Sequence, residues 1–478
     1  MTIEASTSAA RSGEADERRT WRALLSQLGS PDVLLLAGGL VLPNLLSFAT
    51  LISLLDIGLP PRTCAIVLYA SLAILARRIP FALTAALFLC LLAFDMVQTL
   101  SLMFGLAPTE MMAAIDEARR IHFFASPLYL SLIAVMLTTT LAALACLSRR
   151  SALVHGRAAV LFVLALAFAA LDYVNNVSPH YSFGSTFGRD KPVDSAAEVS
   201  GFNLAAGAHG NNVVVVIVES LGYLLDQTAR ERIAAPLYDP AVTRDYLVTS
   251  GHTVYYGATT SGEMRELCNT RTFYADYVRK NGSSCLPNLL KSRGYTSIAL
   301  HAFSGGMFDR EQWYPQVGFD RELFGDEIIK TTHRSCGAGF HGACDADFAP
   351  VIADASRQAA QSGKPRFIYW LTLNTHIPVA PGEALIDFHC TLDSNGFGLP
   401  RVCRMAELWH DVFTAVARIA RDPAVGPADI LLVGDHAPPL WSKRGRAEFA
   451  AGQVAWYRLQ PRRDATAALR LGTFSQAN

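Results

Sequence analysis

The sequence predicts two unlike parts: an N-terminal α-helical membrane domain of five spans, and a C-terminal α/β domain with a mainly parallel sheet sandwiched by helices. Three observations carry this prediction. Charged residues make up only 17% of the 478 residues, and they are absent from long stretches near the N-terminus. The later sequence alternates strand-like and helix-like segments. Six of the nine cysteines lie in that later part.

The membrane domain is predicted from five uncharged, apolar stretches within the first 175 residues. A helix that crosses a bilayer core needs about 20 mostly apolar residues. With their flanks, the five candidate spans cover residues 32–55, 58–76, 79–106, 126–148 and 154–175. The second and fifth are the weakest, because their uncharged cores are short. Buried helices of a soluble protein are the alternative, which the clustering of all five stretches disfavours.

Arginines beside the spans predict the orientation in the membrane, because positive loops favour the cytoplasm. Three clusters fall on one side of the spans: Arg18, Arg19 and Arg22; Arg77 and Arg78; Arg149, Arg150 and Arg157. Arg119 and Arg120 fall on the other side, accompanied by Glu110, Asp116 and Glu117. The predicted order is therefore a cytoplasmic tail (1–31), the membrane domain (32–175), a periplasmic linker (176–210) and a periplasmic α/β domain (211–478).

Two polar features interrupt the apolar region. The segment 107–122 has the pattern of a short amphipathic helix that lies in the membrane interface on the outer side. Asp95 falls inside the third span. An acidic side chain within a span is often functional, and the alternative is that Asp95 lies near the outer end and reaches water.

Cysteine positions test the predicted export of the α/β domain. Six cysteines lie after the last span and fall into three close pairs: Cys268 and Cys285, Cys336 and Cys344, Cys390 and Cys403. An even number at short spacing is typical of disulfides in an oxidising compartment. Pairing by proximity is one of 15 possible connectivities. The pattern favours a bacterial periplasm and contains no CxxC pair of the kind that binds structural zinc.

The α/β domain contains four apolar runs that read as buried strands: 213–218, 296–300, 367–373 and 429–434. Polar, helix-compatible segments such as 345–361 and 404–421 separate them. Strands that alternate with helices predict a mainly parallel sheet. Ligands of such sheets bind at the carboxyl ends of the strands, so the residues that follow each strand are the candidates for a site.

Each of these strand ends is followed by side chains able to bind a metal ion or an anion. A further strand-like segment, TVYYGA, leads into Thr259, Thr260 and Ser261. Loops are usually polar, but five such ends in register are hard to explain in that way. The other four ends supply Glu219 and Ser220, His301, Asn374 to His376, and Asp435 with His436.

The ordered segments VIVES, TTSGE, HAFSGGMFDR, LNTHIP and GDHAPP resemble the lipoteichoic acid synthase group of the alkaline phosphatase/sulfatase superfamily. That group includes phosphoglycerol transferases and is similar to phosphoethanolamine transferases. Its members commonly have five N-terminal spans and one extracytoplasmic catalytic domain. The resemblance therefore covers nearly the whole chain and implies an alkaline phosphatase/sulfatase-like fold.

The resemblance implies one divalent metal ion, zinc or manganese, held by Glu219, Thr260, Asp435 and His436. Thr260 is also the implied nucleophile, with Thr259 as the nearest rival and Ser261 as the next. A threonine hydroxyl is a weak nucleophile at neutral pH, and a metal ion stabilises its deprotonated form. Carboxylate oxygens and an imidazole nitrogen suit zinc or manganese.

The resemblance further implies that His301, Arg310 and His376 contact the phosphate and polar head of the substrate, with His376 in proton transfer. Phe308 and Asp309 replace a tryptophan and an asparagine that are common in the motif, which leaves the head group open. The Cys/Ser-x-Pro/Ala-Ser-Arg motif of sulfatases is missing. No histidine follows His436, whereas phosphoethanolamine transferases add one for a second metal ion.

The predicted activity is transfer of a phosphoglycerol or phosphoethanolamine group through a phospho-threonine intermediate. The donor is phosphatidylglycerol or phosphatidylethanolamine, and the acceptor is a periplasmic glycan or lipid. A metal-dependent phosphodiesterase or phosphatase is the alternative reaction, and a non-catalytic membrane sensor is the alternative class. Lys plus Arg and Asp plus Glu each number 41, so no basic excess points to nucleic acid.

Overall fold

The computed structural model describes residues 30–113, 117, 124, 127–177, 193–207, 210–281, 284–337, 339–360, 363–391 and 396–462. They belong to two compact units. The helical unit lies within residues 1–99 and 129–178, and the sheet unit within 100–128 and 179–478. The predicted cytoplasmic tail, much of the predicted linker and most of residues 114–122 lie outside the described residues.

Helices account for nearly all of the described chain up to Asn176. They are α1 (Pro31–Leu36), α2 (Leu45–Thr50), α3 (Thr63–Leu75), α4 (Phe81–Phe104), α5 (Pro108–Ala113), α6 (Pro127–Ser148), α7 (Arg150–Leu153) and α8 (Ala158–Asn176). Within the described part of the chain, α4, α6 and α8 are long and apolar enough to cross a membrane. Two shorter apolar helices, Pro31–Val41 and Thr63–Leu75, occupy the first two predicted spans.

Prolines explain why the first two predicted spans are not single long helices. A π-helical turn, Ala37–Val41, continues α1, and the chain then turns at Pro43 before α2 begins. Proline has no N–H to donate within a helix and disfavours helical geometry in the residue before it. Pro60 and Pro61 delay the start of α3 to Thr63. Apolar composition alone does not predict these breaks in the helices.

Asp95 takes part in a buried polar network within the helical unit and does not extend to an open surface. It is 4% exposed and forms an ion pair with Arg62, whose Nε donates to Asp95 Oδ1 at 3.0 Å. The Arg62 guanidinium also donates to Ser47 Oγ at 3.0 Å and to the Pro43 carbonyl at 3.2 Å. The Arg62 backbone N–H donates to Asp172 Oδ2 at 2.8 Å. The network therefore links α3, α4 and α8 with the turn before α2.

We expect Asp95→Ala to destabilise the helical unit by about 3–5 kcal/mol, because it leaves the buried Arg62 charge without its partner. Thermal unfolding of the full chain in nanodiscs measures this loss. The double variant Asp95→Ala/Arg62→Met should recover much of the stability, since the unpaired charge is removed as well. Asp32→Ala is the matched control, because it breaks a largely exposed pair with Arg157. Equal stability of Asp95→Ala and the control would contradict the prediction.

The sheet unit contains ten strands and further helices among its described residues. In chain order they are α9 (Ala196–Val199), α10 (Phe202–Ala205), β1 (Asn212–Val218), β2 (Gly222–Leu224), α11 (Gln227–Ala234), α12 (Pro240–Thr243), β3 (Tyr246–Val254), α13 (Thr259–Cys268), α14 (Tyr274–Asn281), α15 (Leu286–Ser292), β4 (Thr296–His301), α16 (Arg310–Val317), β5 (Arg321–Phe324), α17 (Gly325–Thr332), β6 (Ser335–Cys336), β7 (Gly342–Ala343), α18 (Phe348–Ala360), β8 (Arg366–Leu371), α19 (Pro400–Arg421), β9 (Ala428–Gly434), α20 (Lys443–Ala447) and β10 (Phe449–Pro461).

The main sheet is mixed, with a parallel centre. Its order is β2-β10-β9-β1-β8-β4-β5, and β3 also pairs with β10. The strands β9, β1, β8, β4 and β5 are mutually parallel, whereas β10 runs antiparallel to β9, β2 and β3. The predicted α/β fold is confirmed, and the antiparallel edge is the feature that the apolar runs did not reveal.

Both faces of the sheet are buried, which explains the unbroken apolar run of β1. Val214, Val216 and Val218 pack into the core on one face, while Val213, Val215 and Ile217 pack into the core on the other. Alternate residues of a strand point to opposite faces. Helix α19 contributes to the first core, and α13 and α16 contribute to the second. This two-sided covering is typical of a central parallel strand.

The three predicted disulfides are confirmed: Cys268–Cys285, Cys336–Cys344 and Cys390–Cys403. Each joins cysteines that are close in sequence, with separations of 17, 8 and 13 residues. The remaining cysteines, Cys64, Cys90 and Cys146, are free. All three disulfides therefore lie in the sheet unit, as expected for a domain that folds in an oxidising compartment.

Candidate active site

The candidate site begins at the carboxyl ends of two neighbouring strands. Glu219 follows β1 directly, and Asp435 and His436 follow β9. The parallel register pairs Val218 with Gly434, so the residues that come next leave the sheet side by side. Ser220 has a φ of 57°, which turns the chain sharply after Glu219. Its N–H donates to Asp435 Oδ1 at 2.7 Å, which ties the two strand ends together.

The nitrogen His436 Nε2 lies at the centre of a compact cluster. It is 3.4 Å from Asp435 Oδ2, 3.6 Å from Glu219 Oε1 and 3.4 Å from Thr259 Oγ1. Glu219, Asp435 and His436 are each buried, and their ligand atoms all lie within 4.8 Å of one another. Thr259 Oγ1 also donates to Glu219 Oε2 at 3.2 Å. The cluster is therefore small enough for one ion to touch all four side chains.

The chemistry of these atoms fits a divalent cation. His436 Nδ1 lies 3.0 Å from the Ala437 carbonyl, an arrangement that places the proton on Nδ1 and the lone pair on Nε2. Asp435 Oδ2 is buried and has no hydrogen-bond partner in the described part of the chain. A nitrogen lone pair and the oxygens of two carboxylates thus converge, and Asp435 Oδ2 is left without a donor. Such a set is costly unless a positive ion occupies it.

The titration behaviour of the cluster reflects this crowding. Burial and the neighbouring Glu219 charge raise the pKa of Asp435 to about 7. Burial lowers the pKa of His436, but the charges of Asp435 and Glu219 outweigh it, so its pKa is raised overall. Both shifts are those expected of negative charges held close together in a buried site.

The structure brings the Thr259 hydroxyl into contact with this cluster. Thr259 is the first residue of α13 and is partly exposed, whereas Thr260 is 4% exposed. Among the described residues, no hydrogen bond joins the Thr260 hydroxyl to Glu219, Asp435 or His436. The geometry thus favours Thr259, the rival candidate of the sequence analysis. The amino end of a helix also favours negative charge, which suits a reacting phosphate.

Helix α13 is fixed against the carboxyl end of β9 by buried contacts. A Cβ on Gly262 would lie 2.7 Å from Asp435 Cβ, so only glycine permits this close approach. Arg265, which is fully buried, donates to the carbonyls of Gly434 at 2.7 Å and Asp435 at 3.1 Å. Its Nε donates to Glu266 at 2.6 Å. The helix that carries Thr259 and the loop that carries Asp435 are therefore held as one piece.

A second buried group, the Glu263 cluster, fixes the other side of the same helix. It consists of Glu263, Arg310, Tyr314 and Tyr369. Glu263 Oε2 accepts from Arg310 at 2.8 and 3.0 Å. Glu263 Oε1 accepts from the hydroxyls of Tyr314 at 2.5 Å and Tyr369 at 2.9 Å. Arg310, predicted to contact substrate, is 2% exposed and directs Nε and Nη2 at Glu263.

The two other predicted substrate residues lie at neighbouring strand ends. His301 ends β4, and its Nδ1 lies 3.1 Å from the Leu371 carbonyl. Burial and the Arg310 charge lower the pKa of His301 well below its usual value. His376 follows β8, with Nδ1 2.9 Å from the Ile377 carbonyl and its ring against Phe340. Burial lowers the pKa of His376 to about 4, so its ring is neutral at pH 7.

Sequence reasoning missed Asp345, which supports the loop that carries His376. Its Oδ2 accepts from the N–H groups of Leu373 and Asn374 at 2.9 and 2.7 Å. Asn374 Oδ1 in turn accepts from the Asp345 N–H at 2.6 Å. Burial raises the pKa of Asp345 to about 7. Asp345 directly follows the disulfide cysteine Cys344 and precedes a helical segment. This context is typical of an ordinary residue at the start of a helix, so the sequence did not mark Asp345 as part of the site.

A family comparison supports the sulfatase-like character of the sheet unit. Residues 211–387 match the model of the Sulfatase family. The match includes the predicted residues from Glu219 to His376 and ends before Asp435 and His436, which the structure places in the same cluster. The predicted resemblance to the alkaline phosphatase/sulfatase superfamily is thereby confirmed. No curated protein matches the chain.

Three solved structures are similar to this chain at low identity. The lipoteichoic acid synthase LtaP from Listeria monocytogenes is 15% identical, with a TM-score of 0.41, over 53% of this chain and 66% of that one. The phosphoglycerol transferase GacH from Streptococcus pyogenes is 15% identical, with a TM-score of 0.36, over 56% and 77%. The periplasmic domain of phosphoethanolamine transferase EptC from Campylobacter jejuni is 9% identical, with a TM-score of 0.33, over 55% and 82%. The match thus spans just under two thirds of the LtaP chain.

Proposed function

We propose that the chain is a membrane-anchored, metal-dependent transferase. It moves a phosphoglycerol or phosphoethanolamine group from a phospholipid to a periplasmic glycan or lipid, with Thr259 as the nucleophile. The observation that carries this proposal is the convergence of the Thr259 hydroxyl with two carboxylates and an imidazole at the strand ends. The sulfatase family match over residues 211–387 adds the superfamily context.

In the first step, Thr259 Oγ1 attacks the phosphorus of the donor lipid. The new bond joins phosphorus to Oγ1, and the bond that breaks joins phosphorus to the oxygen of diacylglycerol. The proton lost from Oγ1 is balanced by the proton that this leaving oxygen takes up. Glu219 Oε2 accepts the Thr259 hydroxyl hydrogen bond at 3.2 Å, so the hydroxyl proton points at that atom. A divalent cation held by Glu219, Asp435, His436 and Thr259 would supply the positive charge that favours the deprotonated hydroxyl.

In the second step, a hydroxyl of the acceptor attacks the phosphorus of phospho-threonine. The bond from phosphorus to Oγ1 breaks, and Thr259 regains a proton. Neutral His376, whose Nδ1 is engaged by the Ile377 carbonyl, presents Nε2 as a base for the attacking hydroxyl. His301 and Arg310 supply polar side chains on the β4 side of the site. Arg310 positions α13, the helix that carries Thr259, through its ion pair with Glu263.

The membrane arrangement is part of the proposal. Five spans with the N-terminus in the cytoplasm would place the sheet unit in the periplasm, anchored to the inner membrane of a bacterium. The three long apolar helices and the two shorter ones support this arrangement, and the three disulfides suit an oxidising compartment. Anchoring holds the site near the lipid donor at high effective concentration.

The deciding experiment uses the purified full chain in nanodiscs that contain phosphatidylglycerol or phosphatidylethanolamine, with zinc or manganese added. We expect metal-dependent release of diacylglycerol from one of the two lipids, and a covalent phospho-adduct on the protein. Addition of a glycan acceptor should move the adduct to the glycan. Steady release of free head group at the same rate without acceptor would instead establish the hydrolase alternative. Absence of diacylglycerol and adduct with either lipid and metal would overturn the proposal.

A further inference from the structure

The antiparallel edge of the sheet carries a cleft of about 640 Å³ that the predicted site does not include. It lies between α11 on one side and the strands β2, β3 and β10 on the other. Three tyrosines line it, together with polar side chains of α11: Tyr223, Tyr238, Tyr457, Gln227, Arg230 and Glu231. We propose that this cleft binds the neutral sugar chain of a glycan acceptor. This inference rests on the proposed transferase function.

A hydroxyl that faces the cleft and has no protein partner is available to a ligand. Tyr457 is 6% exposed and lines the cleft, and among the described residues its hydroxyl makes no hydrogen bond. Burial, together with the neighbouring Tyr238, raises the pKa of Tyr457, so the hydroxyl keeps its proton. Most of the side chain is buried, whereas the hydroxyl oxygen is accessible from the cleft. A ligand hydroxyl placed in the cleft would satisfy it as both donor and acceptor.

Arg230 is held in a fixed position that suits recognition of a rigid ligand. Its guanidinium lies over the Tyr223 ring at 4.6 Å, and its Nη1 donates to the carbonyls of Leu224 and Leu225. The His252 ring packs against Tyr223 as well, with centroids 4.7 Å apart. The side chain therefore loses little freedom on binding, which favours affinity.

The balance of charge in the cleft favours a neutral polyhydroxylated ligand. The lining contains one cation, Arg230, and one anion, Glu231, and Gln227 Nε2 already donates to Glu231 Oε1 at 2.7 Å. A phosphate-rich ligand would meet this carboxylate without a second cation among the lining residues. The Tyr238 ring is 46% exposed, so it offers an apolar face to the C–H groups of a sugar ring. A volume between 300 and 1,000 Å³ is ordinary for a small-ligand site.

The cleft residue Tyr223 is close along the chain to the cluster of Glu219, Asp435 and His436. Gly222, next to the cleft residue Tyr223, packs so tightly on Ala437 that a Cβ on it would lie 3.1 Å from Ala437 Cβ. Ala437 directly follows His436. Tyr223 is four residues from Glu219, a distance of at most about 14 Å even for an extended chain. One sugar chain can therefore occupy the cleft while its end reaches the phospho-threonine, which raises the effective concentration of the acceptor hydroxyl.

Binding is tested without chemistry on the full chain with Thr259→Ala in nanodiscs. The probes are maltohexaose and laminarihexaose, followed by saturation-transfer difference NMR. We expect saturation of sugar protons by at least one hexasaccharide, reduced about five- to tenfold in Tyr457→Phe and in Tyr238→Ala. Tyr277→Phe is the matched control, because it deletes a hydroxyl that contacts Ser284 outside the cleft. Absence of binding by both probes, or equal binding by all variants, overturns the proposal.

A transfer assay separates this inference from the proposed function. In protein with an intact Thr259, the ratio of head-group transfer onto the bound hexasaccharide to diacylglycerol release should fall about five- to tenfold in Tyr457→Phe. The Tyr277→Phe control should keep the ratio. An unchanged ratio in Tyr457→Phe overturns the acceptor role of the cleft, while diacylglycerol release still supports the donor step. Absence of diacylglycerol release would overturn the transferase function. The binding experiment alone would then test whether the cleft binds a glycan.

Discussion

Thr259→Ala is expected to lose turnover by roughly 10³-fold or more and to form no phospho-adduct, because it removes the attacking oxygen. Thr259 Oγ1 lies within 3.4 Å of both Glu219 and His436, whereas the neighbouring Thr260 hydroxyl has no hydrogen bond to the cluster. Intact-mass spectrometry after incubation with donor lipid measures the adduct, and diacylglycerol release measures turnover.

Two variants complete this test. Thr260→Ala keeps the Thr259 hydroxyl and should retain the adduct, with its main effect on packing, since Thr260 is buried. Thr259→Ser keeps a hydroxyl at the same position and should retain measurable turnover. An adduct on Thr259→Ala together with its loss in Thr260→Ala would assign the nucleophile to Thr260, as the sequence resemblance implied.

Glu263→Gln is expected to cost about 3–5 kcal/mol of stability, because it leaves the buried Arg310 charge without a counter-charge. The Arg310 and Glu263 side chains are 3% and 0% exposed, so solvent screens neither. The corresponding fall in melting temperature of the sheet unit is on the order of 10 °C. Thermal unfolding of the full chain, followed by tryptophan fluorescence, measures it.

The control for this variant is Glu311→Gln on the adjacent helix, which removes an exposed carboxylate and should leave the melting temperature almost unchanged. The double variant Glu263→Gln/Arg310→Met should recover stability, because the buried charge is gone. If turnover also recovers, the role of Arg310 is only to position α13. Recovery of stability without turnover would show that Arg310 also contacts substrate. A melting temperature of Glu263→Gln equal to that of Glu311→Gln would contradict the prediction.

The sheet unit was largely predictable because the sequence patterns that indicate its strands and disulfides lie within short segments. A run such as Val213–Val218, apolar at every position, has few alternatives to a strand covered on both faces, and the structure contains it as the centre of the sheet. The disulfide pairing was predicted from the short sequence spacing between the two cysteines of each pair. The antiparallel strand β10 was not predicted, because its sequence mixes apolar and polar residues and its burial is interrupted along its length.

The site was only partly predictable, for a reason that concerns helix geometry. Adjacent threonines have the same chemistry, and only the residue at which α13 begins determines which hydroxyl faces His436. Glu263 read as an ordinary helical residue because its partners Arg310, Tyr314 and Tyr369 are 47 to 106 positions away in sequence. In the helical unit, apolar composition predicted the three long helices, but Pro43 and Pro60 shortened the segments at the first two predicted spans.

The register of α13 limits which sequence changes are compatible with the proposed site. Thr259 and Glu263 are one helical turn apart, and successive residues of a helix are rotated by about 100°. A single-residue insertion or deletion between Ala258 and Glu263 would thus swing the hydroxyl away from the metal ligands or the carboxylate away from Arg310. Thr260 cannot take over by slippage, since α13 is fixed at both ends of this turn. The proposed nucleophile can therefore be replaced by serine at position 259, but its role cannot move to a neighbouring position in the chain.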